Sequence, residues 1–150
     1  MADLRPILLV EDNPRDLELT LAALAKCQLA NKIVVARDGA EALDYLYLRG
    51  PHADRVPGDP AVVLLDLKLP KVDGIEVLEQ VKRDPAQRQI PVVMLTSSRE
   101  ERDLVRSYEL GVNAFVVKPV DFNAFFEAIQ DLGMFWAILN EPPPRLSYGT

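Results

Sequence analysis

Short apolar runs recur along the chain, each followed by polar residues and then by a longer stretch with helical periodicity. These runs lack the polar alternation of a half-exposed strand, which favours strands buried on both faces of a parallel sheet. The third run, Val-Val-Leu-Leu, leads directly into Asp66. The predicted strands are residues 7–10, 32–36, 61–65, 90–95 and 114–117.

A helix-capping residue follows each predicted strand, and apolar residues at helical spacing follow the cap. In the first helix, for example, Leu17, Leu21 and Leu24 lie on one face. The second, third and fourth caps have an acidic residue three positions later, which is the spacing of a capping box. The predicted caps are Asn13, Asp38, Asp73, Ser98 and Asp121.

The fourth and fifth predicted helices differ in apolar content. The fourth is rich in charges, so we expect it to be the least firmly packed, with Leu104 and Tyr108 as its anchors and Gly111 at its end. The fifth keeps aromatic and aliphatic residues at helical spacing as far as Trp136. A proline run stops it, which predicts a domain of residues 1–140 and an extended or disordered tail of residues 141–150.

Alternating strands and helices favour one doubly wound α/β domain, with helices on both faces of a parallel sheet. The length of 150 residues is consistent with a single domain. Residues 49–60 interrupt the alternation with several glycines and prolines, which predicts an exposed loop. We expect His52, the only histidine, to be solvated in that loop.

Composition excludes some classes of function. The formal net charge of −6 predicts no nucleic-acid surface, because such a surface needs a basic patch. One cysteine excludes an internal disulfide framework. No early segment resembles a signal peptide, and no apolar run approaches about 18 residues, so we expect a cytoplasmic protein without membrane contact.

Polar side chains follow four of the predicted strands at their carboxyl ends, which meet at one edge of a parallel sheet. They are Glu11, Asp12, Asp66, Thr96 and Lys118. Two unit charges about 4 Å apart repel by roughly 4 kcal/mol at an effective dielectric of 20, so gathered carboxylates need a cation. Oxygen ligands of this kind predict Mg2+, with Mn2+ as a substitute.

A carboxylate, a divalent metal, an ammonium and a hydroxyl donor are the parts that phosphoryl transfer to an aspartate needs. A histidine positioned as a general base and a Gly-rich phosphate loop are both missing from the sequence pattern. We therefore expect a site that takes a phosphoryl group from an already activated donor, in a signalling module rather than an enzyme.

The ordered set of site residues resembles the receiver domain of two-component response regulators, and the similarity spans about residues 7–139. The motifs that carry it are Glu11-Asp12, Asp66-Leu-Lys-Leu-Pro, Asp73-Gly74, Thr96 and Lys118-Pro119. The resemblance implies a flavodoxin-like (CheY-like) fold with strand order 2-1-3-4-5. It also implies that Lys118-Pro119 is a cis peptide, which proline allows.

The same resemblance implies a role for each site residue. Asp66 would be the phosphoacceptor, receiving its phosphoryl group from a phosphohistidine on a sensor histidine kinase. Asp12, Asp66 and the backbone carbonyl of Lys68 would ligate Mg2+, and Glu11 would reach the ion through water. Thr96 and Lys118 would bind phosphoryl oxygens. Phe115 stands at the position of the family's switching aromatic, or it is an ordinary core residue.

The long loop before the third strand and the Phe-Trp-Ala-Ile-Leu-Asn-Glu-Pro-Pro-Pro ending resemble single-domain regulators of phytochrome-type histidine kinases. That resemblance implies a homodimer formed through the helix 4–strand 5–helix 5 face. Two alternatives remain open at this point. One is a Mg2+-dependent phosphatase with an aspartyl-phosphate intermediate, although Lys68 stands where that chemistry wants a second acid. The other is a flavodoxin-like cofactor binder, which the acids Glu11 and Asp12 disfavour.

Overall fold

The computed structural model of the chain describes residues 5–27, 29–112 and 114–132. Its strands form one parallel sheet in the order β2-β1-β3-β4-β5, which confirms the predicted flavodoxin-like topology. The strand ends are nearly flush, because Val10 pairs with Leu65 and Asp66 pairs with Leu95. The strands are β1 (Ile7–Val10), β2 (Ile33–Ala36), β3 (Val62–Asp66), β4 (Val92–Thr96) and β5 (Ala114–Val117).

A helix follows each strand, and each begins at its predicted cap. In every case the side chain of the cap residue accepts a backbone N–H from the first turn of the helix. The helices are α1 (Pro14–Lys26), α2 (Gly39–Leu46), α3 (Gly74–Arg83), α4 (Arg99–Ser107) and α5 (Phe122–Asp131).

Two apolar layers cover the sheet, one on each face. Leu8 and Val10 of β1 face the layer formed with α2, α3 and α4, whereas Ile7 and Leu9 face the layer formed with α1 and α5. All four residues are completely buried. Both faces of the central strands are therefore covered, as their uninterrupted apolar runs predicted.

Helix α4 differs from the prediction in its anchor and its end. Val105 is its buried residue, whereas Leu104 and Tyr108 are 48% and 44% exposed. The helix meets the sheet along a narrow line, and neighbouring residues on a helix point in directions about 100° apart. The helix also ends at Ser107, before Gly111, because Glu109 already has a left-handed backbone with φ of 54°.

The loop of residues 49–60 is fastened to α2, so the prediction of a solvated His52 is wrong. His52 Nε2 lies 3.0 Å from Glu41 Oε2, and the His52 ring meets the Tyr45 ring edge-on at 5.2 Å. Arg55 lies over the same tyrosine ring at 4.0 Å and donates to the Tyr45 carbonyl at 2.7 Å. These contacts hold the loop beside β2, at the opposite flank of the sheet from β5.

The last part of the predicted fifth helix, including Trp136, and the tail of residues 141–150 lie outside the described residues. The predicted boundary at residue 140 stays a prediction for the same reason. Within the described ranges, none of the helices is both long and apolar enough to cross a membrane.

Candidate functional site

Three carboxylates meet where β1 and β3 end side by side. Ligand oxygens of Glu11, Asp12 and Asp66 all lie within 4.8 Å of one another. Glu11 and Asp66 are buried, and Asp12 is half-buried. The structure thus brings together the acids that the sequence placed at one sheet edge, although Glu11 and Asp12 are more than fifty residues from Asp66.

Glu11 is completely buried, and its protonation is shifted as a result. Burial, together with the neighbouring Asp66 carboxylate, raises the pKa of Glu11 from 4.5 to about 7. The Lys118 ammonium and the Asn13 N–H, which donates to Glu11 Oε2 at 3.2 Å, oppose part of that rise. Glu11 therefore exchanges a proton near neutral pH, and a cation bound beside it would favour the ionised form.

Lys118 supplies the cation of the site from the end of β5. Its Nζ lies 3.1 Å from Asp66 Oδ1, 3.2 Å from Glu11 Oε1 and 3.0 Å from Asp16 Oδ2. Burial disfavours the charged amine, but these three carboxylates together raise the pKa of Lys118 above its ordinary value. The Lys118–Pro119 peptide is cis, as the resemblance implied.

Asp16 is a site residue that the sequence analysis missed. It lies in the first turn of α1, where an acidic residue is ordinarily explained by the helix dipole. Its carboxylate instead shares the Lys118 ammonium with Glu11 and Asp66. The available signal was its position, one turn into the helix that follows the acidic end of β1.

Thr96 is the last residue of β4 and is completely buried. Its Oγ1 has no hydrogen-bond partner among the described residues. A buried hydroxyl without a partner costs about 1–3 kcal/mol. The neighbouring strand carries Asp66, and the Thr96 carbonyl accepts the Lys118 N–H at 2.7 Å. The hydroxyl is therefore available to a group that is added at this edge.

A cleft of about 400 Å³ opens beside Asp66 and gives solvent a path to the site. Lys68 lies at its mouth, with an exposed side chain whose Nζ is 3.6 Å from Glu101 Oε2. The cleft is lined by Arg15, Asp16, Leu19, Asp66, Lys68, Ser97, Glu101, Lys118 and Pro119. The predicted use of the Lys68 carbonyl as a metal ligand stays a prediction.

Two glycines hold the loop after Asp66 against the helices. A Cβ on Gly74 would overlap the backbone oxygen of Asp66, and a Cβ on Gly39 would overlap the backbone oxygen of Val72. The Gly74 N–H donates to the Leu67 oxygen at 2.9 Å. The start of α3 therefore packs directly against the backbone of Asp66, at a distance that only glycine allows.

Phe115 lies on β5 and packs away from the acids. Its side chain is half-buried against the layer that includes Val105, and the Arg106 guanidinium lies 5.0 Å from its ring centroid. It is not among the residues that line the cleft. Its predicted role as a switching aromatic stays a prediction.

The donor set fits a hard divalent cation. Glu11, Asp12 and Asp66 offer carboxylate oxygens, the ligands that Mg2+ and Mn2+ take, and histidine and cysteine are absent from this acidic cluster. Lys118 by itself cannot balance four clustered carboxylates with Asp16 included, so the site retains negative charge that a bound cation would offset.

Comparison with known proteins agrees with this geometry. A family model described as the response regulator receiver domain matches residues 7–130. The bacteriophytochrome response regulator AtBRR has a structure 78% identical to this chain with a TM-score of 0.89, covering 93% of this chain and 100% of that one.

Two cyanobacterial relatives are more distant. Response regulator Rcp1 from Synechocystis sp. is 38% identical over 87% of this chain and 87% of its own. Its Mn(2+)-bound crystal structure has a TM-score of 0.70 and covers 89% of this chain and 94% of that one. The phosphorylated phytochrome response regulator RcpA is 41% identical with a TM-score of 0.70, again covering 89% and 94%.

The family match runs from β1 almost to the end of α5, and it includes every residue that forms the acidic cluster and the Thr96–Lys118 side of the cleft. Fold, site and sequence similarity agree over the same residues. The chain therefore belongs to the response regulator receiver domain family.

Proposed function

We propose that the chain is a response regulator that accepts one phosphoryl group on Asp66 from a phosphohistidine of a sensor kinase. The observation that carries this proposal is the surrounding of the Asp66 carboxylate. Lys118 Nζ lies 3.1 Å from it, and the unpaired hydroxyl of Thr96 follows the neighbouring strand. The ammonium and the hydroxyl can both donate hydrogen bonds to the negative oxygens of a phosphoryl group attached to this carboxylate.

In the proposed transfer, an Asp66 oxygen attacks the phosphorus and forms the acyl phosphate bond. The P–N bond of the donor breaks, its electron pair goes to the histidine ring nitrogen, and that nitrogen takes up a proton. Lys118 stabilises the charge on the transferring oxygens, and Thr96 donates its hydroxyl to one of them. Bound at Glu11, Asp12, Asp66 and the Lys68 carbonyl, Mg2+ would supply Lewis-acid neutralisation of that charge.

The proposed switch begins at Thr96. Phosphorylation adds up to about two negative charges beside it, and the buried hydroxyl gains an acceptor that it lacks in the described chain. Movement of this strand end shifts the start of α4 and the packing of Phe115. To carry the protein from mostly off to mostly on, phosphorylation must favour the second state by about 5.5 kcal/mol.

We infer that the donor kinase is of the phytochrome type, because AtBRR and RcpA are named as phytochrome response regulators. Phosphotransfer from a bacteriophytochrome kinase, compared with a histidine kinase of another sensor class, tests this inference. Faster labelling of Asp66 by the phytochrome kinase is expected. Equal rates from both kinases would contradict this part of the proposal and leave the receiver chemistry intact.

We further propose that two copies associate through the α4–β5–α5 face. On this face, Leu104 and Tyr108 expose apolar surface that the fold of one chain leaves uncovered. Light scattering of the full chain, with and without a phosphodonor, measures the assembly directly. Replacing Leu104 with Asp should shift the mass toward the monomer, whereas Val56→Asp, at an exposed position in the loop beside β2, should not.

The central proposal is tested by intact mass after incubation with Mg2+ and a small activated phosphodonor. The wild-type chain should gain the mass of one phosphoryl group, and Asp66→Asn should gain none. Asp54→Asn removes an exposed loop carboxylate and serves as the control, with labelling like the wild type. Equal labelling of Asp66→Asn would refute Asp66 as the acceptor.

Lys68 stands two residues after Asp66, so the chain offers no second acid to favour a phosphatase.

A further inference from the structure

Glu101, in the first turn of α4, lies at the cleft but takes no part in the proposed phosphoryl or metal contacts. Its Oε1 accepts the Ser97 N–H at 2.8 Å, and its Oε2 lies 3.6 Å from Lys68 Nζ. Although partial burial opposes ionisation, the Ser97 hydrogen bond and the Lys68 ammonium keep the pKa of Glu101 below its usual value. Both donors line the same cleft as Asp66.

We propose that the Glu101 carboxylate is an internal stand-in for the phosphoryl group, holding the Ser97 N–H and the Lys68 ammonium until Asp66 is phosphorylated. The proposal rests on the proposed function of Asp66. A phosphoryl group carries more charge than a carboxylate and three strong acceptor oxygens, so it competes for the same donors. Glu101 and the new anion also repel each other across the cleft.

The position of Glu101 links this exchange to α4. Its backbone N–H donates to Ser98 Oγ at 3.2 Å, so Glu101 belongs to the cap that starts the helix. Ser97, which it holds, directly follows the unpaired Thr96. Val105 is the buried residue of α4, so little packing opposes a shift of its first turn. Displacement of Glu101 by phosphoryl oxygens therefore releases the end of the helix nearest the site.

Helix α2 carries the same cap without the site, which provides a matched control. The Glu41 N–H donates to Asp38 Oδ1 at 2.7 Å, and Glu41 Oε1 accepts the Arg37 N–H at 3.0 Å. Its second oxygen contacts His52, in the loop at the other flank of the sheet. Any effect of losing the charge of a capping glutamate is therefore common to Glu41 and Glu101, whereas competition with a phosphoryl group is specific to Glu101.

The test is a titration of the full chain with beryllofluoride, a phosphoryl mimic, at fixed Mg2+. Binding is measured as the rise in melting temperature at each concentration of the mimic. Glu101→Gln keeps an oxygen for the Ser97 N–H but removes the charge. We expect its half-saturating concentration to fall on the order of tenfold below the wild type, and this difference to shrink at high salt. Glu41→Gln should bind the mimic like the wild type. Hydrogen exchange at residues 97–101 without the mimic should be faster in Glu101→Gln only.

A second pair of variants protects the test against misfolding. Lys68→Gln changes a side chain that is 85% exposed, so it should fold. In the wild type, Lys68 must give up its contact with the Glu101 carboxylate when it binds the mimic, and in Glu101→Gln it has no such contact to give up. We therefore expect Lys68→Gln to weaken binding of the mimic more in the Glu101→Gln background than in the wild type. Additive effects of Lys68→Gln and Glu101→Gln on binding of the mimic, or equal binding by Glu101→Gln and Glu41→Gln, would overturn the role of Glu101. Binding of the mimic by the wild-type chain would still support the role of Asp66. A wild-type chain that is neither labelled by a phosphodonor nor bound by the mimic would overturn both.

Discussion

The two halves of the site are built differently. In the acidic half, formed by Glu11, Asp12 and Asp66, Lys118 contacts the carboxylates of Glu11 and Asp66, and Gly74 lies against the backbone of Asp66. In the α4 half, formed by Thr96, Ser97 and Glu101, a buried hydroxyl lacks a partner and the helix has little buried surface.

This difference separates binding from response. Contacts already position the side chains of the acidic half in the unphosphorylated chain, so a cation and a phosphoryl group would bind to groups that need not move. The α4 half has an unmet hydrogen bond and weak packing, so it can rearrange when an acceptor arrives. Substitutions in the first half should therefore change the stability of the chain itself, and substitutions in the second should alter its response.

The largest expected effect comes from Lys118→Met in the acidic half. Above pH 7, where Glu11 is ionised, loss of the ammonium leaves the buried carboxylates of Glu11 and Asp66 without a cation, and breaking such a cluster costs about 3–5 kcal/mol. Urea unfolding without metal should show this loss, with Lys32→Met, at an exposed position, as the control. Mg2+ should restore part of the stability but not the labelling by phosphodonor. A Lys118→Met chain as stable as the wild type would contradict the comparison.

The next effect is the pH dependence set by Glu11. Its folded pKa is raised from 4.5 to about 7, so its contribution to stability is complete below pH 4.5 and is lost as the pH rises through about 7. Relative to the wild type without metal, Glu11→Gln should gain up to about 3 kcal/mol over that interval. Unfolding free energies measured across the interval check this, with the exposed Glu18→Gln as control. The same Glu11→Gln change should weaken Mg2+ binding most above pH 7.

Gly74→Ala should have an intermediate effect. The added methyl group meets the Asp66 backbone, and such overpacking costs about 1–3 kcal/mol. Because the clash displaces the acceptor itself, phosphodonor labelling should also slow. Gly111→Ala is the control, since its left-handed φ of 75° costs stability while its added methyl meets open space. If both variants label at the wild-type rate once folded, Gly74 does not position Asp66.

The smallest effect has the opposite sign and tests the α4 half. Thr96→Val keeps the shape of the side chain but removes the unpaired hydroxyl, so the unphosphorylated chain should gain about 1 kcal/mol. The same change should weaken the response of α4 to beryllofluoride in hydrogen exchange. Thr96→Ser retains the hydroxyl and should keep the response. Destabilisation by Thr96→Val would mean that the hydroxyl already has a partner.

The sequence predicted the positions of residues at strand ends better than the positions of residues that depend on the rotation of a helix or on the path of a loop. Glu11, Asp66 and Thr96 could be placed together because parallel strands end at one edge. The anchor of α4 could not, because Leu104 and Val105 are both apolar and only the line of contact with the sheet distinguishes them.

Two further residues show the limit of local patterns. Asp16 follows the usual preference for acids in a first helical turn, so its position did not distinguish a contact with Lys118 from that preference. His52 is eleven residues from Glu41, and the contact between their side chains depends on how the intervening loop folds back on α2. Neither contact is encoded by spacing alone, because each requires the path of the chain between its partners.

The most direct test of the account is a crystal structure of the chain with Mn2+ and beryllofluoride. We expect anomalous density for one ion among the carboxylates of Glu11, Asp12 and Asp66, and the mimic on Asp66 in contact with Lys118 and the Thr96 hydroxyl. The acidic half should superpose on the unliganded structure, and the start of α4 should not. An ion outside the acidic cluster, or a mimic that leaves Thr96 unpaired, would contradict the division of the site into a fixed half and a responsive half.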